Sequence, residues 1–207
     1  MIRISFVRHG QTQWNEEGRF QGSKNSDLTK VGVEQGKKLN ENFLKKDIKF
    51  TKVYSSPLDR ALQTAKIITG NSYEIQTISE FREISVGIME GATYTEFEQR
   101  YPKEFFDFFN APENYEPKNI QGETFTELLN RVEEGLKKLV ATHKSGDEIL
   151  VVTHGITLKA ICSYILHGKA DLHYFAKDPI PGNTSVTKAV YENNKFRIEE
   201  FSNTDHL

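Results

Sequence analysis

The chain has 207 residues, and its 27 Lys and Arg against 29 Asp and Glu leave a formal charge of −2. This length fits one domain or at most two small ones, and folding buries about 70% of the surface that an unfolded chain of this size exposes. The near-neutral balance argues against a dedicated nucleic-acid binder, and the single cysteine, Cys162, excludes an internal disulfide framework and a cysteine-based metal cluster.

The longest uninterrupted apolar run, Ile149-Leu150-Val151-Val152, is far short of the roughly 20 residues of a membrane-spanning helix. The first eight residues are interrupted by polar side chains and lack the apolar stretch of a secretory signal. We therefore expect a soluble, cytoplasmic protein with neither membrane nor nucleic acid as partner.

Residues 2–7 alternate apolar and polar side chains and read as a first strand. Residues 10–27 form a polar connection rich in Gly, Asn and Gln, long enough to suggest function. A helix is expected from about Thr29, carrying Val33, Gly36, Leu39 and Phe43. Lys52–Ser55 reads as a short second strand. Ser56 as N-cap and Pro57 at the first helical position then open a helix with Leu58, Ala61, Leu62, Ala65 and Ile68 at helical spacing and Gly70 at its end. Residues 74–78 are a third candidate strand.

Thr93 and Glu96 have the spacing of a capping box, and Pro102 begins a further helix with Phe105, Phe106, Phe108 and Phe109. Phe125, Leu128, Leu129, Val132, Leu136, Leu139 and Val140 mark a long amphipathic helix. The apolar run in Glu148–Thr153 suits a strand covered on both faces, followed by a helix over 155–166. Residues 185–191 and 195–201 form a hairpin about Asn193-Asn194. The alternation predicts an α/β fold: a three-layer sandwich with a mostly parallel central sheet flanked by helices. We read 1–207 as one domain with a helical lid insert at about 90–123.

The polar residues at strand ends suggest chemistry. Arg8-His9-Gly10 follows the first strand, Arg60 lies in the first turn of the helix after the second, Glu83 follows the third, and Thr153-His154-Gly155 follows the apolar strand. Open α/β sheets bind ligands at the carboxyl ends of their strands. If the strands are parallel neighbours, two Arg, two His and one Glu meet in one cleft. Arginine forks match phosphate oxygens, and helix N-termini near residues 57 and 155 add N–H donors. Each piece alone has a plain structural reading as a strand-end, capping or surface residue. Their order on the expected elements gives the set its weight.

These residues lie within longer motifs: Phe6-Val7-Arg8-His9-Gly10-Gln11-Thr12, Trp14-Asn15, Phe20-Gln21-Gly22 and Asp27-Leu28-Thr29. Further along come Tyr54-Ser55-Ser56-Pro57-Leu58-Asp59-Arg60-Ala61 with Gln63-Thr64-Ala65, Arg82-Glu83-Ile84 and Glu90-Gly91. The last are Gly122-Glu123-Thr124, Val151-Val152-Thr153-His154-Gly155 and Asn183-Thr184-Ser185. Together they resemble the histidine phosphatase superfamily, in its phosphoglycerate-mutase-like branch. The look is nearest to broad-specificity or α-ribazole phosphatase-like members.

The resemblance implies that His9 is the nucleophile that becomes phosphohistidine, and that Arg8, Arg60 and His154 bind the phosphoryl oxygens. It makes Glu83 the general acid and base. It places Asn15, Thr12, Gln21, Gly22 and Gly155 in the phosphate- and substrate-binding set. The family often has Trp where Met89 stands, a change of packing and not of chemistry. A histidine nucleophile must be neutral at its attacking nitrogen, so the other nitrogen should keep its proton against a backbone carbonyl while nearby cations lower the ring's pKa. No HxxxH or carboxylate–histidine spacing suggests a metal site, so no metal and no other cofactor is expected. His143, His167, His173 and His206 read as loop or surface residues, and Cys162 as a buried small apolar one.

Between Glu90 and Glu123 the insert carries Arg100, Lys103 and Lys118 against Glu96, Glu98, Glu104, Asp107, Glu113 and Glu116, and it also holds Phe105, Phe106, Phe108, Phe109 and Tyr115. Such a lid is poorly suited to a second phosphate, although the aromatics also read simply as a packed helix face. The expectation is metal-independent hydrolysis of a small phosphorylated metabolite, with inorganic phosphate as product and a homodimer as an allowed assembly. A cofactor-dependent phosphoglycerate mutase and a weakly catalytic phospho-ligand binding module are the alternatives.

Overall fold

The computed structural model describes residues 1–207, apart from the side chain of Tyr174. Four strands, β1 (Ile2–Arg8), β2 (Lys52–Ser55), β3 (Ile75–Thr77) and β4 (Glu148–Thr153), pair in parallel in the order β3-β2-β4-β1. The antiparallel β5 (Val186–Glu192) and β6 (Lys195–Asn203) extend the sheet beyond β1. The expected architecture, mostly parallel with helices on both sides, is the one observed.

The period-two alternation of strand side chains sends the apolar residues of the central strands to opposite faces. Val7, Val53, Leu150 and Val152 join a cluster with Leu39 and Phe43 of α2 (Lys30–Lys45) and Ala61, Ala65 and Ile68 of α3 (Asp59–Ile68). Ile4, Phe6, Ile149 and Val151 face α6 (Phe125–Ala141) and α7 (Gly155–His167) through Leu128, Val132, Leu136, Leu158 and Ile161. Cys162 is buried in this second cluster. Neighbouring registers, Arg8 beside Thr153 and Ser55 beside Val152, bring three strands to an end on the same edge of the sheet.

The terminal hairpin turns where expected, because Asn193 and Asn194 both take positive φ, at 51° and 60°, as a tight two-residue turn requires. The helix after β2 differs from expectation. It begins at Asp59 with Leu58 as its unassisted N-cap, and Ser56 turns its hydroxyl toward His154. Two short helices went unforeseen: α1 (Gln13–Glu16) inside the polar connection and α8 (Leu172–Lys177) before β5. The insert folds as α4 (Tyr94–Arg100), α5 (Pro102–Asn110) and two 3-10 turns, Pro112–Asn114 and Pro117–Ile120. His143 is not a surface residue: its imidazole is enclosed, with Nδ1 2.8 Å from Asp147 Oδ2 and Nε2 3.0 Å from the Tyr54 hydroxyl.

Candidate active site

A cavity of about 110 Å³ opens at the carboxyl ends of β1 and β4. Arg8, His9, Asn15, Gln21, Gly22, Arg60, Glu83 and Gly155 line it, which is eight of the ten residues singled out in the sequence. The other two, Thr12 and His154, do not reach it.

His9 follows directly on β1, with its amide bonded to the Thr153 carbonyl at 2.9 Å. Its ring is buried, and Nδ1 lies 2.7 Å from the Gly10 carbonyl. A carbonyl only accepts, so Nδ1 carries the proton and Nε2 keeps a free lone pair. Burial, then Arg60, then Arg8, push the pKa of His9 well below the ordinary histidine value. The ring is therefore a neutral nucleophile at physiological pH, held in one tautomer by its own backbone.

Arg8 donates from Nη1 to the Pro181 carbonyl at 2.8 Å, whereas its buried Nε–H has no protein partner. Such an orphaned donor on a cavity wall is suited to an anionic oxygen. Arg60 is almost fully buried and tied down on three sides. Nη2 donates to Gly22 O at 2.7 Å, Nη1 to Lys24 O at 2.5 Å, and Nε to His154 Nδ1 at 3.1 Å. Burial lowers its pKa to about 10, and the guanidinium stays charged at neutral pH.

His154, expected among the phosphate ligands, has both ring nitrogens within hydrogen-bond distance of protein atoms. Because Nδ1 accepts from Arg60, the proton sits on Nε2, 2.7 Å from Ser56 Oγ. Both nitrogens are engaged inside the protein, and the ring centroid is 5.2 Å from that of His9. His154 thus orients Arg60 and walls the nucleophile. Thr12 is likewise fully buried: its hydroxyl caps α1 by accepting from the Asn15 amide at 3.2 Å. In return Asn15 Oδ1 accepts from Thr12 N and Asn183 Nδ2, leaving the Asn15 NH₂ group for the cavity.

Glu83 stands on the opposite wall. Oε1 accepts from Ile84 N and Thr157 N, each at 3.0 Å, and Oε2 accepts from Ile156 N at 3.1 Å, while the Thr157 hydroxyl donates to the Arg82 carbonyl at 2.7 Å and lies 3.0 Å from Oε1. Two of these donors are amides of the first turn of α7, groups that lack partners inside their own helix. Gly155 allows this close assembly, since a Cβ there lies only 3.2 Å from Arg8 Cζ. Gly22, at φ +53°, brings its carbonyl to Arg60, and a Cβ on it lies 2.3 Å from Glu90 Oε1. The buried Gln21 Oε1 finds no protein donor.

The outer half of the cavity is apolar: Phe20, Ile84, Val86, Tyr94, Phe108, Phe109, Ile156 and Ile180. The aromatics of the insert thus divide. Phe108 and Phe109 line the cavity, Tyr115 packs in the core against Phe108 and Phe125, and Phe105 packs on Phe97 and Phe109. None of Arg100, Lys103 and Lys118 reaches the cavity.

Sequence reasoning missed Arg19 and Asn183. Arg19 lines the mouth, held by Glu17 at 2.5 Å and the Gly91 carbonyl at 2.8 Å. Asn183 Nδ2 donates to His9 O at 2.9 Å, and the following Thr184, a β-branched residue at φ +52°, donates its amide to Arg8 O at 3.0 Å. Backbone strain of this kind collects at functional sites. The Asn183-Thr184-Ser185 motif was the available signal, but nothing in its spacing disclosed a clamp on β1.

A histidine, two fixed arginines and a glutamate, gathered at the carboxyl edge of a parallel sheet, make a site suited to a phosphoryl group. The model of the histidine phosphatase superfamily (branch 1) matches residues 4–204, and the chain belongs to that family. It is 32% identical over its whole length, and 84% of the relative's, to a metal-independent phosphoserine phosphatase of Arabidopsis thaliana. It is also 32% identical to a probable phosphoglycerate mutase of Proteus mirabilis, covering 100% of this chain and 95% of that one. Among solved structures, YhfR of Bacillus stearothermophilus superposes with a TM-score of 0.92 at 31% identity, covering 100% of this chain and 99% of that one.

Proposed function

We propose that the chain hydrolyses small phosphate monoesters in two steps through His9. In the first, Nε2 of His9 bonds to phosphorus as the phosphorus–oxygen bond of the ester breaks. Arg8, Arg60 and the Asn15 amide hold the three non-bridging oxygens, and protonated Glu83 gives its proton to the leaving alcohol. In the second, Glu83 takes a proton from water, the water oxygen bonds to phosphorus, the nitrogen–phosphorus bond breaks, and inorganic phosphate leaves. The observation that carries this reading is the single tautomer of His9, which aims an unprotonated nitrogen between two arginines.

The substrate this cavity fits best carries one phosphate on a largely apolar body. The wall beyond the arginines is aromatic and aliphatic, and the insert brings no cation to bind a second phosphate. Phosphoserine is the second reading: the Arabidopsis relative is named for it, and Arg19 at the mouth offers a partner for a carboxylate.

The test is phosphate release over a panel of monoesters with chelator present, alongside mutase flux measured with 2,3-bisphosphoglycerate. We expect turnover of p-nitrophenyl phosphate, an acid-labile phosphoenzyme, and loss of both in His9→Ala. Undiminished activity in His9→Ala defeats the mechanism. Mutase flux exceeding phosphate release favours the mutase, and tight phosphate binding without turnover favours a binding module.

A further inference from the structure

Residues 79–86, which carry Glu83, belong to no strand or long helix. Their backbone groups nonetheless need partners where they are buried, and side chains from elsewhere in the chain supply them. Arg131, on α6, donates from Nη1 to the carbonyls of both Glu80 and Arg82 at 2.7 Å. The same guanidinium grips Glu123 through Nε at 2.5 Å and Nη2 at 2.9 Å. Glu123 in turn accepts from the Ser85 amide at 3.3 Å, and its own amide donates to the Ser85 carbonyl at 2.8 Å. The pair therefore holds the chain on both sides of Glu83.

Both side chains are about one-tenth exposed, at 11% for Arg131 and 9% for Glu123. A bidentate pair so shielded is geometrically specific, and losing one partner strands the other's charge. Neither residue lines the substrate cavity. Their hydrogen bonds reach the site through the segment they hold, and the Arg131 charge also lowers the pKa of His154.

We propose that Glu123 and Arg131 are positioning residues for Glu83, setting the distance between its carboxyl and the leaving oxygen. The proposal rests on the reading of Glu83 as proton donor. It predicts a selective defect. An alkoxide leaves only with a proton, whereas p-nitrophenolate leaves without one. A displaced Glu83 therefore slows alkyl esters alone in the step that kcat/KM reports, transfer to His9.

The experiment measures kcat/KM of Glu123→Gln, Arg131→Lys and Arg131→Met for n-butyl phosphate and p-nitrophenyl phosphate, each also in a Glu83→Gln background. Inhibition by inorganic phosphate and thermal melting serve as controls. Misplacing a catalytic group by about 1 Å costs on the order of 100-fold. We expect that loss on the butyl ester in Glu123→Gln and Arg131→Met, and a change under about threefold on the nitrophenyl ester, with phosphate inhibition retained. Arg131→Lys, which keeps the charge without the fork, should fall between. In Glu83→Gln the second substitution should cost little more. Equal losses on both esters, no loss on either, or full losses that multiply in the Glu83→Gln background overturn the proposal. If Arg131→Met does not fold, the isosteric Glu123→Gln decides between these outcomes. A wild-type chain that hydrolyses neither ester overturns the phosphatase reading, and the positioning role with it.

Discussion

At the scale of single residues, the site is a chain of hydrogen bonds in which most polar atoms are already committed. Gly22 shows the consequence. Its φ of +53° and its contact with Glu90 leave no room for a methyl group, and the carbonyl it presents holds Arg60. Glu90 itself accepts from the Ser23 and Ser85 hydroxyls, so two loops of the cavity meet at this point. Gly22→Ala should cost about 1–2 kcal/mol for the left-handed backbone alone and displace Arg60 as well. We expect inhibition by inorganic phosphate to weaken at least about tenfold, the cost of roughly 1.4 kcal/mol. Unchanged inhibition, with a lowered melting temperature, would confine Gly22 to a structural role. Which residues gather here was largely legible in the sequence; which atom each one faces was not. His154 and Thr12 belong to the right motifs, yet their partners, Arg60 with Ser56 and Asn15 respectively, settle their work. The His154 contacts span 94 and 98 positions of sequence, beyond the reach of any local pattern.

Elements were legible where local rules act alone. Thr93 and Pro102 start their helices as their spacing predicts, and Thr93 with Glu96 forms a complete capping box, as Thr124 with Glu127 also does. At the Thr124 cap the hydroxyl accepts from the Glu127 amide at 3.2 Å while the Glu127 carboxylate accepts from the Thr124 amide at 2.8 Å. Thr124→Ala removes the first contact and should lower unfolding stability by about 1 kcal/mol. Urea denaturation checks this, and because the cap follows Glu123 directly, the alkyl-ester rate should be followed too. Stability equal to wild type would mean that packing, and not the cap, sets the start of α6. Local rules failed where a long-range partner overrode them. Ser56 has the chemistry of an N-cap, but the imidazole of His154 takes its hydroxyl and α3 starts without a side-chain cap. The insert shows the same limit, since the aromatic pattern on α5 announces an apolar face but not that Phe108 and Phe109 turn toward the cavity while Phe105 turns onto Phe97 and Phe109.

Across the whole molecule, the formal charge of −2 conceals two buried histidines packed among buried cations. His9 and His154 both resist protonation, chiefly through burial, with Arg60 and Arg8 acting in the same sense on each. His206 is also lowered, by burial and then by Lys38. In the unfolded chain these rings take up protons near pH 6.5. Below that pH the unfolded state binds more protons than the folded one, so stability must fall as the pH falls, and it stops falling only when the folded rings protonate. Each full proton of difference contributes about 1.4 kcal/mol per pH unit, so His9 and His154 together impose a slope that rises toward about 2.7 kcal/mol per unit as the unfolded rings take up their protons. Carboxylates mostly titrate lower, which leaves pH 6.5 to 5 as the place to look. Urea denaturation there should show stability declining with a slope that steepens toward that value, and His154→Asn should flatten it by up to about 1.4 kcal/mol per unit whatever its effect at pH 7.5. The same shift has a catalytic side: His9 stays unprotonated well below pH 6.5, so the acid limb of kcat/KM should not fall at the ordinary histidine value. Stability that is flat between pH 6.5 and 5, or an unchanged slope in His154→Asn, would show that these rings take up protons inside the fold, and the neutral nucleophile would then need another explanation.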